Sequence, residues 1–340
     1  MEQRTLGHSG FTVPALSFGA GTFGGTGPLF SNWGTTDVDE ARRLVDLCLE
    51  AGVDLFDTAD VYSDGRSEEV LGAALEGRRD RARISTKIAL PTGPGDHGVS
   101  RGRLIDGVER ALGRLRTDRI DLLQLHAFDG STSPDEVLHT MDRLIRDGKV
   151  LHWGVSNYPG WALMQLLERA RMSGVPRPVV HQVYYSLIGR DYEWDLMPLG
   201  ERNAVGALVW SPLGWGRLTG KLRRDRPVPP GRLATTASFG PPVDPERLYA
   251  IVDVLLEVAG ALDATVPQVA LAWLLRRPTV SSVIIGARNA DQLRDNLGAV
   301  HLTLPDELDA LLAVEAPVAV VHPGWRALAG RDEVMASWRA

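Results

Sequence analysis

Apolar residues alternate along this chain between two rhythms. Short, almost continuous apolar runs occupy 15–18, 53–57, 82–87, 121–125, 150–155, 179–183, 206–210 and 281–285. They have strand length and little polar alternation, so they read as strands buried on both faces. Between them the apolar spacing lengthens to three and four. In 37–51, Ala41, Leu44, Val45 and Cys48 share one helical face and Gly52 stops the helix. In 100–115 the stripe is Leu104, Val108, Ala111, Leu112 and Leu115. The same period predicts helices over 67–76, 134–147, 160–172, 195–203, 246–260 and 289–297.

Strands alternating with helices imply a parallel sheet covered by helices, and eight such units favour closure into a barrel over an open sheet. The expected fold is therefore α/β, a single (β/α)8 TIM barrel domain over residues 1–340. Three additions are expected. A hairpin turns at Gly7–Gly10 between Arg4–Leu6 and Phe11–Val13, an extra apolar helix covers 265–276, and another covers 305–315. The stretch 216–245 is a long insertion rich in Pro, Gly and Arg, and loops of that length are functional or mobile.

Charge and cysteine count exclude several classes. The formal net charge is −6 with both signs interspersed, which gives no reason to expect nucleic acid. No run approaches membrane-spanning length, and Met1–Arg4 lacks a signal pattern, so a cytoplasmic protein without a membrane partner is expected. The single cysteine, Cys48, excludes an internal disulfide and reads as a packed thiol. The eight histidines show no ligand spacing with it, so no metal site is expected. Only three of the 37 basic residues are lysines, Lys87, Lys149 and Lys221, which makes a lysine at a strand end stand out.

One motif fails in context. Gly19-Ala20-Gly21-Thr22-Phe23-Gly24 follows a strand with the dinucleotide-fingerprint spacing, but that site needs a helix to open at once. Here Gly25, Gly27, Pro28, Asn32 and Gly34 intervene before about Asp37. Close approach of the backbone to a ligand at the barrel mouth suits these glycines better.

The C-terminal ends of barrel strands are where catalytic groups sit. Asp57-Thr58-Ala59-Asp60-Val61-Tyr62 closes the second strand, Lys87 closes the third, and His126 follows the fourth. Singly, each has a plainer use: Tyr62 as a helix-entry aromatic, Lys87 as a solvated charge, His126 as a core histidine, Asp57 as a helix cap. Together they make a proton donor. A phenol has a reference pKa of about 10 and must be tuned towards 7 to protonate an alkoxide at neutral pH. An adjacent ammonium does this by stabilising the phenolate, a carboxylate fixes the ammonium, and a neutral imidazole orients a carbonyl.

With these residues in view, the chain resembles the aldo-keto reductase superfamily. The Asp-Thr-Ala-x-x-Tyr pattern, the strand-end lysine and the strand-end histidine match that family's catalytic tetrad. Gly154–Asn157, Trp210–Leu213, Leu218–Lys221 and Ile285–Arg288 extend the likeness along essentially the whole chain. The nearest branches are the aryl-alcohol dehydrogenase-like and potassium-channel-β-like ones. The resemblance implies catalytic Asp57, Tyr62, Lys87 and His126, and NADPH/NADP+ bound extended. Ser156, Asn157 and Gln182 would hold the carboxamide, and Trp210 would stack on the nicotinamide. Ser211, Leu213, Gly216 and Lys221 would follow the pyrophosphate. Gly286, Arg288, Gln292 and Asn296 would hold the adenosine end, with Gly21, Thr22 and Asp57 completing the set. Trp215, Arg217 and Ile285 depart from the usual residues of the phosphate loops.

The expected activity is NADPH-dependent reduction of aldehydes or ketones to alcohols, reversible, with Tyr62 as general acid. Phe23, Phe30 and Trp33, together with Tyr62 and His126, would line a pocket for an aryl or aliphatic carbonyl compound. A regulatory β-like subunit that binds NADPH and turns over slowly is the rival expectation. A Schiff-base enzyme using Lys87 is a third.

Overall fold

The computed structural model describes residues 1–27, 29–93, 95–224 and 241–316. Strands β1 (Gln3–Thr5) and β2 (Thr12–Pro14) form the antiparallel hairpin. The barrel follows: β3 (Leu16–Gly19), β4 (Leu55–Asp57), β5 (Arg83–Ile88), β6 (Ile120–Leu125), β7 (Val150–Ser156), β8 (Val180–Tyr184), β9 (Gly206–Trp210) and β10 (Val280–Ile285). These eight are parallel, neighbour one another in chain order, and close through β10 against β3. The helices α1 (Val38–Glu50), α2 (Arg66–Ala74), α3 (Arg101–Leu115), α4 (Pro134–Arg146), α5 (Gly160–Ser173), α6 (Leu196–Asn203), α7 (Pro245–Ala261) and α9 (Ala290–Leu297) alternate with them. The two additions are α8 (Val266–Leu275), before β10, and α10 (Asp306–Glu315), after α9.

Local chemistry sets these boundaries. Asp37, Asp244 and Asn289 cap their helices by accepting from the amide three residues on, and Thr265 with Gln268 makes a full capping box. Helix α2 starts one residue earlier than expected because Gly65, at φ +85°, turns the chain into it. No helix follows β3 until α1, apart from a single 3-10 turn at Phe30–Asn32, so the glycine run at 19–24 does not open a nucleotide-binding helix. Most of the 216–245 insertion lies outside the described residues, since 225–240 are not described. Among the described residues, no helix is long and apolar enough to cross a membrane.

Two cores result. The larger lies between strands and helices and includes Cys48 on the inner face of α1. The smaller fills the barrel: Leu55, Leu122, Val180, Leu208 and Ile284 meet Leu6 and Val13 from the hairpin. The hairpin thus plugs the N-terminal end of the barrel. Arg83 and Arg4 hold it there, Arg83 donating to the Thr12 carbonyl and Arg4 to the Val280 and Leu275 carbonyls. Function is left to the other end.

Candidate active site

Above the apolar floor, the inward positions of the strands turn polar. Asp57 ends β4, Ser85 and Lys87 lie two apart on β5, Gln124 lies on β6, and Gln182 on β8. Period two sends alternate residues of each strand inward, so these side chains converge. Asp57 receives four donors: Ser85 Oγ at 2.9 Å, Gln182 Nε2 at 2.9 Å and Gln124 Nε2 at 3.3 Å on Oδ1, and Lys87 Nζ at 2.5 Å on Oδ2. Such saturation fixes a buried carboxylate in place. Ser85 and Gln124 went unnoticed in the sequence. Their signal was the period-two spacing from Lys87 and His126.

Lys87 is fully buried. Its ammonium donates to Asp57, to the Thr58 carbonyl at 2.8 Å and to Tyr62 Oη at 3.3 Å. Burial opposes its charge, but Asp57 and Tyr62 outweigh that and raise its pKa. An ammonium held by three partners is poorly placed to condense with a carbonyl, which counts against Schiff-base chemistry.

The Tyr62 loop has its own supports. Thr58 N donates to Ser85 O and Asp60 N to Lys87 O, tying the loop to β5. Ser63 Oγ donates to Phe23 O and Ser67 Oγ to Ala20 O, tying it to the β3 loop. Burial pushes the Tyr62 phenol above its ordinary pKa; Lys87 pulls it down without cancelling the rise. The expected net downward tuning is thus absent from the free protein. The phenol keeps its proton, and the ammonium stands ready to stabilise the anion if that proton leaves. His126 stacks edge-on to Tyr62 with ring centroids 5.8 Å apart. Burial, then the Lys87 charge, holds its pKa well below the ordinary value, so the imidazole is neutral.

A cavity of about 610 Å³ begins at Tyr62 and runs along the barrel mouth. It passes Gln182, Trp210, Ser211, Leu213, Gly216 and Lys221 and ends against Gly286, Arg288, Gln292 and Asn296, with Gly21, Thr22 and Asp57 also on its walls. Trp215, Thr265 and Asp295 line it too and were not assigned to it from the sequence. Ser156 and Asn157 do not line it. Ser156 is buried, and the Asn157 amide donates to Ser156 Oγ and to the His126 carbonyl.

The aromatic wall differs from expectation. Trp33 lines the cavity, with Phe30 against both Trp33 and Tyr62 at centroid distances of 5.2 Å. Phe23 does not. It is fully buried, 5.7 Å from the Phe18 ring, because the chain bridges Phe23 to Thr36 and turns that ring into the core. Gly21 also serves packing: a Cβ there would lie 3.2 Å from the Trp33 ring.

The walls fit a dinucleotide. Lys221 and Arg288 are exposed cations without an ion pair among the described residues. A Cβ on Gly286 would meet nothing within 4 Å, leaving room beside the backbone. Trp210 Nε1 is buried without a hydrogen-bond partner among the described residues. The volume lies in the usual ligand range. No group of His, Cys, Asp and Glu among the described residues could hold a metal ion.

Comparison with known proteins bears on the family of the chain. The model of the aldo/keto reductase family matches residues 15–312. A probable voltage-gated potassium channel subunit beta of Arabidopsis thaliana is 34% identical over 318 residues, 89% of this chain and 92% of that protein. A protein of the same description from Oryza sativa subsp. japonica is 33% identical over 328 residues, 92% and 96% of the two chains. A putative voltage-gated potassium channel subunit beta of Schizosaccharomyces pombe is 36% identical over 311 residues, 88% of each.

Proposed function

The chain belongs to the aldo/keto reductase family, and we propose that it reduces small aldehydes or ketones to alcohols with NADPH, Tyr62 giving the proton. The observation that carries this reading is the contact series from Asp57 through the Lys87 ammonium to the Tyr62 hydroxyl at the end of a long cavity. Bound NADPH supplies the hydride that reaches the carbonyl carbon. Tyr62 passes its phenolic proton to the carbonyl oxygen as that charge develops. The phenolate left behind faces the Lys87 ammonium, which Asp57 holds in register. Neutral His126 orients the carbonyl by a hydrogen bond without taking up the proton. Trp210, Gln182 and Ser211 line the proposed nicotinamide end, Leu213, Gly216 and Lys221 the pyrophosphate, and Gly286, Arg288, Gln292 and Asn296 the adenosine end. Ser156 and Asn157 lie behind that wall, next to Gln182 and His126. Trp33 and Phe30 favour an aryl or apolar substrate.

The test is cofactor oxidation by purified protein over a panel of aryl and aliphatic aldehydes and ketones. Tyr62→Phe should lower kcat roughly a thousandfold, the scale of a lost general acid, and leave NADPH binding intact. Near-normal turnover of that variant sinks the reading. The relatives' description as channel subunits favours a second reading, an NADPH-binding subunit with slow turnover. Under it, one bound cofactor is oxidised by aldehyde and steady-state turnover then stays far slower than that first event.

A further inference from the structure

Behind the cavity wall, an arginine joins the loops that carry the proposed acid and ammonium. Arg103, buried on α3, places Nη2 2.5 Å from Asp60 Oδ2 and Nε 2.8 Å from Asp96 Oδ1. Asp60 lies two residues before Tyr62, in the loop after β4. Asp96 lies in the loop after β5, the strand that Lys87 belongs to. Asp96 is itself engaged by Thr92 and Arg110. Gly107, one turn along α3, makes room for the guanidinium: a Cβ there would stand 2.6 Å from Arg103 Nη1.

The Tyr62 loop needs such a hold. Ser63 and Asp64 follow Tyr62 at φ 51° and 56°, a conformation that costs non-glycine residues energy and persists only where surroundings impose it. Among the described residues, its backbone contacts with β5 stop at Asp60, whose amide meets the Lys87 carbonyl at 3.1 Å, and Tyr62 N bonds only back to Ala59. Past that point side chains hold the loop on either side of the phenol: Asp60 on Arg103 before Tyr62, and Ser63 on the Phe23 carbonyl after it. Asp60 Oδ1 is buried with no hydrogen-bond partner among the described residues, so Oδ2 on Arg103 is its hydrogen-bonded anchor.

We propose that Arg103 is a positioning residue for Tyr62: its ion pair with Asp60 fixes the loop from which the phenol reaches Lys87. The inference rests on the role for Tyr62 proposed above. Charge placement is consistent with it. Burial raises the Asp60 carboxyl and Glu68 adds to the rise, while Arg103 and Arg114 pull it down, leaving it at about 6. The charges that act on Tyr62 are Lys87, Asp57 and Asp60. With Arg103 gone, Asp60 would be an unpaired buried carboxylate and would take up a proton, releasing the loop.

Arg103→Met should lower kcat by about a hundredfold, as for a reacting group displaced by about 1 Å, and leave the Kd for NADPH within about twofold. The isotope effect from cofactor deuterated at the transferred position should rise, because the chemical step slows; a partly unfolded preparation would lower kcat without changing that effect. Amide exchange of 58–65 should accelerate in the free protein. Arg103→Lys, which keeps the charge, should restore part of kcat, and Asp60→Ala, which leaves Arg103 paired with Asp96, should reproduce the loss. If Arg103→Met does not fold, Asp60→Ala and Arg103→Lys decide the matter by the same measurements. Should these variants keep wild-type kcat, isotope effect and exchange while Tyr62→Phe is impaired, the positioning role is wrong and the general-acid reading stands. If Tyr62→Phe is itself unimpaired, the general-acid reading falls, and this inference with it.

Discussion

Arg288 stands at the far end of the cavity from Tyr62, exposed, just before the Asn289 cap of α9. The two carboxylates nearby are engaged elsewhere: Asp291 with Arg294, and Asp295 with the Thr265 hydroxyl. NADPH differs from NADH by one phosphate, so a guanidinium there can read the difference in two-pronged fashion. A charge-assisted contact contributes about 1.5–3 kcal/mol, or roughly ten- to a hundredfold. Arg288→Ala should raise the Michaelis constant for NADPH by about that factor and leave that for NADH nearly unchanged; equal losses for both would exclude this role. Residues of this kind were legible because a charged group at the end of an apolar run has few structural uses. Ser85 and Gln124 were not, since a small or amide side chain inside a strand reads as ordinary wall until Asp57 is seen to collect their hydrogen bonds. Phe23 was misplaced for the converse reason: adjacency to Trp33 in the loop says nothing of which ring the backbone turns inward.

Elements were more legible than their faces. The apolar periods and the caps at Asp37, Asp244 and Thr265 mark the helices within a residue or two, because both signals are local. The meeting of Leu6 with Leu122 and Leu208 is not local, and no period announces it. That contact makes the hairpin a structural plug rather than an appendage. Leu6→Ala should therefore lower unfolding free energy by about 2–5 kcal/mol, the usual cost of a core leucine. The urea midpoint would report the loss, while kcat at saturating substrate stays unchanged, since Leu6 belongs to the floor of the barrel and not to the site above it. A fall in kcat matching the fall in stability would show that the floor and the mouth are coupled.

Across the whole molecule, acid should weaken the fold through its buried histidines, with raised carboxylates such as Asp60 and Glu68 opposing them. His181 is fully buried with neither ring nitrogen hydrogen-bonded among the described residues, and burial lowers its pKa to about 3. His126 is lowered for the same reason, with Lys87 adding to it. The unfolded chain binds protons on both at about pH 6.5, so stability falls as pH drops below that value, for His181 down to about 3. Asp60 acts in the opposite sense. Raised to about 6, it takes up its proton first in the folded state and partly offsets the loss between about 6 and 4. Urea midpoints measured from pH 7 to 4 should decline, and His181→Leu, which removes two unpartnered nitrogens, should flatten the decline. An unchanged slope in that variant would place the acid sensitivity elsewhere. The plug also decides how a ligand can lie. With the barrel packed solid from Leu6 and Val13 up to Leu55, Leu122 and Leu208, nothing can thread down its axis, and whatever binds must stretch across the rim, along the cavity between Tyr62 and Arg288.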